Sequence, residues 1–180
     1  MRLVVTEFIT VNGVIDTPAW TAPFQHDDIE ALKHEELFAA NAMLLGRVTY
    51  EMFAGAWPSI TDELGFADRM NSLPKHVVST TTADPTWNAT FVRPASSDAL
   101  AGQIRRIKSD GTGDLLVGGS ATLARFLFAN NLVDELRLLT YPVVVGAGQR
   151  LFDQGIDTTF TLAETRSFPT GVVLTTYRPA

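Results

Sequence analysis

Apolar residues fall along this chain in two patterns. Short continuous or alternating runs mark strands, and runs spaced three or four residues apart mark helices. Leu3 to Ile9 is rich in branched apolar residues and reads as a strand, closed by an Asn12-Gly13 turn. Residues 17–25 hold Pro18, Trp20, Pro23 and Phe24 and read as an irregular aromatic loop. Asp27 to Ala40 reads as a helix. Asp27 or Asp28 is its expected N-cap, acids crowd the first turn, and Ile29, Leu32 and Leu37 share a face. A buried strand over Ala42–Leu45 passes through Gly46-Arg47 into a helical turn over Val48–Phe53. Residues 54–74, with Gly55, Pro58, Gly65 and Pro74, carry no clear period and read as loose.

His76–Ser79 is a further short strand, closed by Thr80-Thr81-Thr82, and Thr90–Val92 another, stopped near Pro94. Ser96 or Ser97 caps a helix with Leu100, Ile104 and Ile107 on one face, which Asp110-Gly111-Thr112-Gly113 breaks. Leu115-Leu116-Val117 then meets Gly118-Gly119, and a helix follows with Leu123, Phe126 and Leu127 aligned, ending at Asn130-Asn131. From Glu135 the pattern becomes β-rich and antiparallel strands are expected, including Val143-Val144-Val145. The last two, Thr158–Phe168 and Val172–Tyr177, form a hairpin around Pro169-Thr170-Gly171. The expected fold class is α/β, a single domain over 1–180 with a mixed, mostly parallel central sheet, helices on its faces and a C-terminal antiparallel hairpin.

Composition narrows the function classes. With 180 residues, 46% hydrophobic and 19% charged, the chain has enough apolar mass for a full core. A net charge of −6 argues against broad nucleic-acid binding. No cysteine is present, so thiolate catalysis, disulfides and Cys-based zinc sites are excluded, and three scattered histidines give no metal-ligand spacing. No run is long enough for a membrane span or a signal h-region, so a cytoplasmic protein is expected.

The candidate chemistry lies at two glycine turns. Val117-Gly118-Gly119-Ser120-Ala121-Thr122 hands a strand to a helix, whose first N–H groups form an anion site when nothing blocks the approach. Only two glycines are present, so this is not the G-x-G-x-x-G fingerprint. Leu45-Gly46-Arg47-Val48-Thr49 repeats the arrangement, with Arg47 able to pair with a phosphate and Thr49 able to donate a hydroxyl. Two such turns in one domain suit the two ends of a dinucleotide. Trp20, Phe24 and Trp57 are candidates for an aromatic pocket around a ring-shaped substrate, with core packing as the alternative role.

Gly46-Arg47-Val48-Thr49-Tyr50 resembles the Gly-Arg-x-Thr-(Trp/Tyr) motif of dihydrofolate reductases, and Val117-Gly118-Gly119-Ser120 resembles the Gly-Gly cofactor loop of that fold. Leu132–Leu136, Tyr141–Gly148, and Thr49–Phe53 with Trp57-Pro58 are closer to the reductase domain of the bifunctional riboflavin-biosynthesis deaminase/reductase. The resemblance spans essentially the whole chain and implies a dihydrofolate reductase-like three-layer fold, NADPH as cofactor and a homodimer. By it, Gly46, Arg47 and Thr49 sit at one cofactor phosphate, and Gly118, Gly119, Ser120, Ala121 and Thr122 wrap the pyrophosphate. Ser79 and Thr80, with Thr81, line the adenosine 2′-phosphate, and Ile15 lies near the nicotinamide. Dihydrofolate reductases also carry a cis Gly-Gly peptide, which the resemblance extends to Gly118–Gly119.

The same resemblance implies an acid on the first helix. Asp28 is the chosen catalytic candidate, with Asp27 and Glu30 as rivals, since Ile29 and Leu32 place it near the buried face. Arg150, in Gly146–Arg150, is a candidate for a substrate phosphate. The expected activity is NADPH-dependent reduction of a small heterocycle, of the kind that converts 5-amino-6-(5-phosphoribosylamino)uracil. The alternatives are pterin reduction and a non-catalytic NADP(H)-binding sensor.

Overall fold

The structure, a computed structural model, describes residues 1–16, 18–81, 85–152 and 156–180. Thr17 of the aromatic loop and Thr82 of the threonine run lie outside the described residues. The strands are β1 (Arg2–Thr10), β2 (Ala40–Gly46), β3 (Lys75–Val78), β4 (Ala89–Val92), β5 (Asp114–Gly118), β6 (Glu135–Tyr141), β7 (Phe160–Ser167) and β8 (Val173–Pro179). The helices are α1 (Asp27–Ala39), α2 (Arg47–Ala56), α3 (Phe66–Ser72), α4 (Ser97–Asp110) and α5 (Ala121–Ala129).

All eight strands join one sheet in the order β4-β3-β2-β5-β1-β6-β8-β7. The first six in that order are parallel, and β8 and β7 add antiparallel edges. The expected mixed sheet and C-terminal hairpin are therefore present. One expectation is corrected: β6 runs parallel to β1, with Thr6 opposite Arg137, and Val143–Val145 is not a strand. Pro142 ends β6, because a residue without an N–H cannot continue a ladder. Residues 143–145 turn instead toward the Asn12 side chain, whose Nδ2 donates to the Val145 carbonyl at 2.7 Å.

Chain direction fixes which face each helix covers. The crossovers β1 to β2 and β2 to β3 run one way along the sheet, and β4 to β5 and β5 to β6 run the other. Crossovers of one hand then place α1–α3 on one face and α4–α5 on the other. The packing agrees. Leu37, Tyr50 and Met70 cluster with Val4 and Met43, whereas Leu100, Ile104, Leu123 and Leu127 cluster with Leu3, Val5 and Leu115. β1 and β5 are neighbours whose chains leave in opposite directions. The sheet therefore opens a crevice between their C-terminal ends, where α/β sheets bind ligands.

Two local features depart from the sequence reading. The segment expected to be loose contains α3. Its start is set by the Asp62 carboxylate, which accepts N–H groups from Phe66 at 2.9 Å and Ala67 at 2.6 Å. Its end is held by the buried Lys75 ammonium, which donates to the carbonyls of Met70 and of Asn71, the latter at 3.0 Å. At α1, neither aspartate is the N-cap. His26 is, its Nδ1 accepting the Asp28 N–H at 3.2 Å.

Candidate active site

The two glycine turns meet at the C-terminal end of the sheet. Ser120 joins them: its Oγ accepts the Gly46 N–H at 3.0 Å and donates to Thr49 Oγ1 at 2.7 Å. That hydroxyl is consequently not spent on capping α5, and Gly46 offers α2 no side-chain cap either. Two helix N-termini thus begin side by side with no side-chain oxygen on their first N–H groups, the arrangement that attracts anions.

The Gly118–Gly119 peptide is trans, which corrects the cis bond expected there. Positive φ at Gly119 (+67°) and Ser120 (+65°) makes the turn instead. Gly118 has no positive φ, and a Cβ there would meet nothing in the protein closer than 3.8 Å. The fold itself does not require glycine at this position, so the bare backbone leaves room for a ligand. Gly46 differs: a Cβ would stand 3.0 Å from Ser120 Oγ, and glycine is what lets the two turns close.

A cavity of about 850 Å³ opens beside these turns. It is lined by Gly46, Arg47, Thr49, Gly118, Gly119, Ser120, Ala121 and Thr122, and by Ile15 and Trp57. Leu37, Met43, Met52, Phe53, Phe66 and Met70 complete an apolar wall. The structure therefore brings most of the sequence candidates to one place. Arg47 is exposed and holds Glu51 at 2.7 Å, an i,i+4 surface pair worth little, so its guanidinium is free to exchange partners.

Asp28, Trp20, Phe24, Ser79 and Thr80 do not line the cavity. The Asp28 side chain is 52% exposed and lies 3.9 Å from Arg166 on β7. Helix α1 starts over the outer strands and reaches β1 only farther along, which carries its first turn away from the crevice. Trp20 and Phe24 pack edge-on against Tyr141 at 5.3 and 5.9 Å between centroids and serve the core there. Ser79 is buried at the end of β3, one residue beyond the Gly46–Val78 pair, and its hydroxyl donates to the Thr81 carbonyl at 2.7 Å. Arg150 is exposed, and its neighbour Gln149 lines the cavity in its place.

Four cavity-lining charges were not anticipated: Glu7, Asp16, Lys33 and Glu36. Glu36 is 4% exposed and pairs with Lys33, whose Nζ also donates to Thr6 Oγ1 at 3.0 Å, and with Arg137 at 3.2 Å. Burial pushes the Glu36 carboxyl up, but Lys33 and Arg137 outweigh it and hold the group below the usual carboxylate range. Glu7 is also 4% exposed, with the opposite outcome. Its Oε2 accepts the Gly119 N–H at 3.1 Å, while Oε1 has no partner among the described residues. Burial outweighs that hydrogen bond and pushes the carboxyl up to about 8. A signal for both existed in the sequence. Glu7 interrupts an apolar strand in register with Leu3, Val5 and Ile9, and Glu36 falls seven residues after Ile29 on the buried face of α1.

Comparison with known proteins bears on the fold and the family. The chain is 26% identical over 180 residues to the uncharacterized protein YyaP of Bacillus subtilis (strain 168), covering 98% of this chain and 94% of the relative. A pyrimidine reductase-like protein from Corynebacterium diphtheriae superposes with a TM-score of 0.73 at 14% identity, over 99% of this chain and 92% of that one. Dihydrofolate reductase from Enterococcus faecalis, solved with NADP(H), gives 0.67 at 13%, over 99% and 96%. At such identities the two structures establish the fold. Residues 2–174 match the RibD C-terminal domain, and the chain belongs to that family.

Proposed function

We propose that the protein is an NADPH-dependent reductase of a small heterocyclic compound, with the dinucleotide across the two glycine turns and the substrate in the adjoining cavity. The observation that carries this reading is the pair of helix N-termini joined by Ser120 at the mouth of the β1–β5 crevice. In this proposal the N–H groups at Gly119–Thr122 hold the pyrophosphate, and Gly46, Arg47 and Thr49 hold a second phosphate. The bare backbone at Gly118 fits a closely approaching cofactor. Ser79 and Thr80, at the neighbouring strand end, are assigned to the 2′-phosphate, and Ile15 to the nicotinamide. The cofactor, when bound, supplies the hydride. The protein positions it against the substrate and excludes water with the apolar wall.

The substrate class follows the family: a C=N or C=O in, or on a side chain of, a small heterocycle such as the riboflavin-type aminouracil. Trp57 and Phe53 supply aromatic surface for such a ring. Titration of tryptophan fluorescence with NADPH, and with NADH in parallel, tests the cofactor half; failure of both to bind refutes it. NADPH oxidation with 5-amino-6-(5-phosphoribosylamino)uracil and with dihydrofolate tests the reductase half. Tight NADPH binding without turnover of either favours the sensor reading.

A further inference from the structure

We propose that Glu7, at the floor of the crevice between β1 and β5, delivers the proton that accompanies hydride transfer; this rests on the reductase reading above. Reduction of a C=N or C=O consumes one hydride at carbon and one proton at the heteroatom, so the site needs a proton source as well as a cofactor.

The groups around the cavity narrow the choice. Lys33 and Glu36 face Glu7 from α1, and they are committed to each other, to Thr6 and to Arg137 of β6. Arg47 reaches the rim from α2 and is held by Glu51. Asp16 lies at the rim after β1, half-exposed, with its carboxyl beside Gly148. Glu7 alone among these combines near-complete burial with a carboxyl oxygen that has no partner. Oε2 is fixed by the Gly119 N–H of the proposed cofactor turn, so Oε1, unpartnered among the described residues, is the oxygen that bears the proton. A carboxyl pushed up to about 8 holds that proton at neutral pH.

The step balances as follows. Two electrons arrive with the hydride at the substrate carbon, and the nicotinamide is left oxidised. The π pair of the C=N or C=O moves to the nitrogen or oxygen, which takes the proton from Glu7 Oε1. The resulting carboxylate keeps its Gly119 hydrogen bond, is attracted by Lys33, and regains a proton from water after product leaves.

Two measurements decide it. In protein labelled with 13C at the glutamate carboxyls and saturated with NADP+, one carboxyl signal is expected to stay protonated at pH 7 and to vanish in Glu7→Gln. A Glu7 signal already ionised at pH 7 overturns the proposal. In single-turnover oxidation of NADPH with the same aminouracil and dihydrofolate probes, Glu7→Gln is expected to bind NADPH as the wild type does. It should lose about 100-fold or more in rate, together with the wild type's decline at alkaline pH. A variant that keeps the wild-type rate and pH profile overturns the proton role alone. Absence of turnover by the wild type overturns the reductase reading, and the proton role with it.

Discussion

The Glu7 carboxyl makes a prediction about stability that needs no substrate. In the folded chain burial pushes it up to about 8, well above the range of an exposed glutamate. Below the unfolded-chain value both states hold the proton, and Glu7 contributes no pH dependence. Between that value and about 8 the folded state keeps a proton that the unfolded chain has shed. The folded state binds more protons there, so stability falls as pH rises. The interval spans about three and a half units, and each unit corresponds to about 1.4 kcal/mol, so the accumulated loss is roughly 5 kcal/mol. Glu7→Gln preserves the shape and the acceptor for the Gly119 N–H but cannot ionise. The variant is therefore expected to match the wild type at about pH 4 and to exceed it by roughly 5 kcal/mol above about pH 8. Urea unfolding at about pH 5.5, 7 and 8.5 measures the difference, in which the other titrating groups cancel. Parallel stability curves for the two proteins would refute the reasoning, since they require Glu7 to ionise as it does in the unfolded chain.

Ser120→Ala removes both the acceptor for the Gly46 N–H and the donor to Thr49. A loss of about 1–3 kcal/mol in urea melts is expected, with weaker NADPH binding in fluorescence titrations. Lys33→Met leaves Glu36 buried with Arg137 as its remaining cation, and should cost about 3 kcal/mol at pH 7, with much of that recovered where Glu36 can protonate. Asp28→Asn alters an exposed carboxyl remote from the cavity; stability should change by less than about 0.5 kcal/mol and NADPH-dependent turnover not at all, as steady-state assays will read. The family resemblance implies a homodimer, and β7 offers an outer, largely exposed strand for pairing. Light scattering at micromolar concentration should return twice the 19.6 kDa chain mass, and a monomer mass refutes that.

What the sequence by itself determined was local. The order of strands and helices followed from hydrophobic period. The two glycine turns were legible because strand, glycine and helix start are contiguous, as was the hairpin around Gly171, where φ is +85°. Even the Ser96 cap was local, its Oγ accepting the Ala99 N–H three residues on at 3.1 Å. Helix α3 was not legible, because Asp62 starts it from outside the helix and Lys75 closes it from the next strand.

Which acidic residues line the cavity was decided only by the tertiary structure. Ile29 and Leu32 beside Asp28 suggested a place near the buried face, but burial depends on how α1 crosses the sheet, and no spacing encodes that angle. Ser120 is the same case: the sequence places it in a glycine turn, yet its hydroxyl turns to Gly46 and Thr49, more than seventy residues away. Glu7 shows the division most plainly. The sequence presents a carboxyl in a core strand, but whether that carboxyl is paired, charged or neutral depends on what surrounds it. The fold gave Glu36 two cations and gave Glu7 one backbone N–H, and that difference in neighbours sets their ionisation in opposite directions.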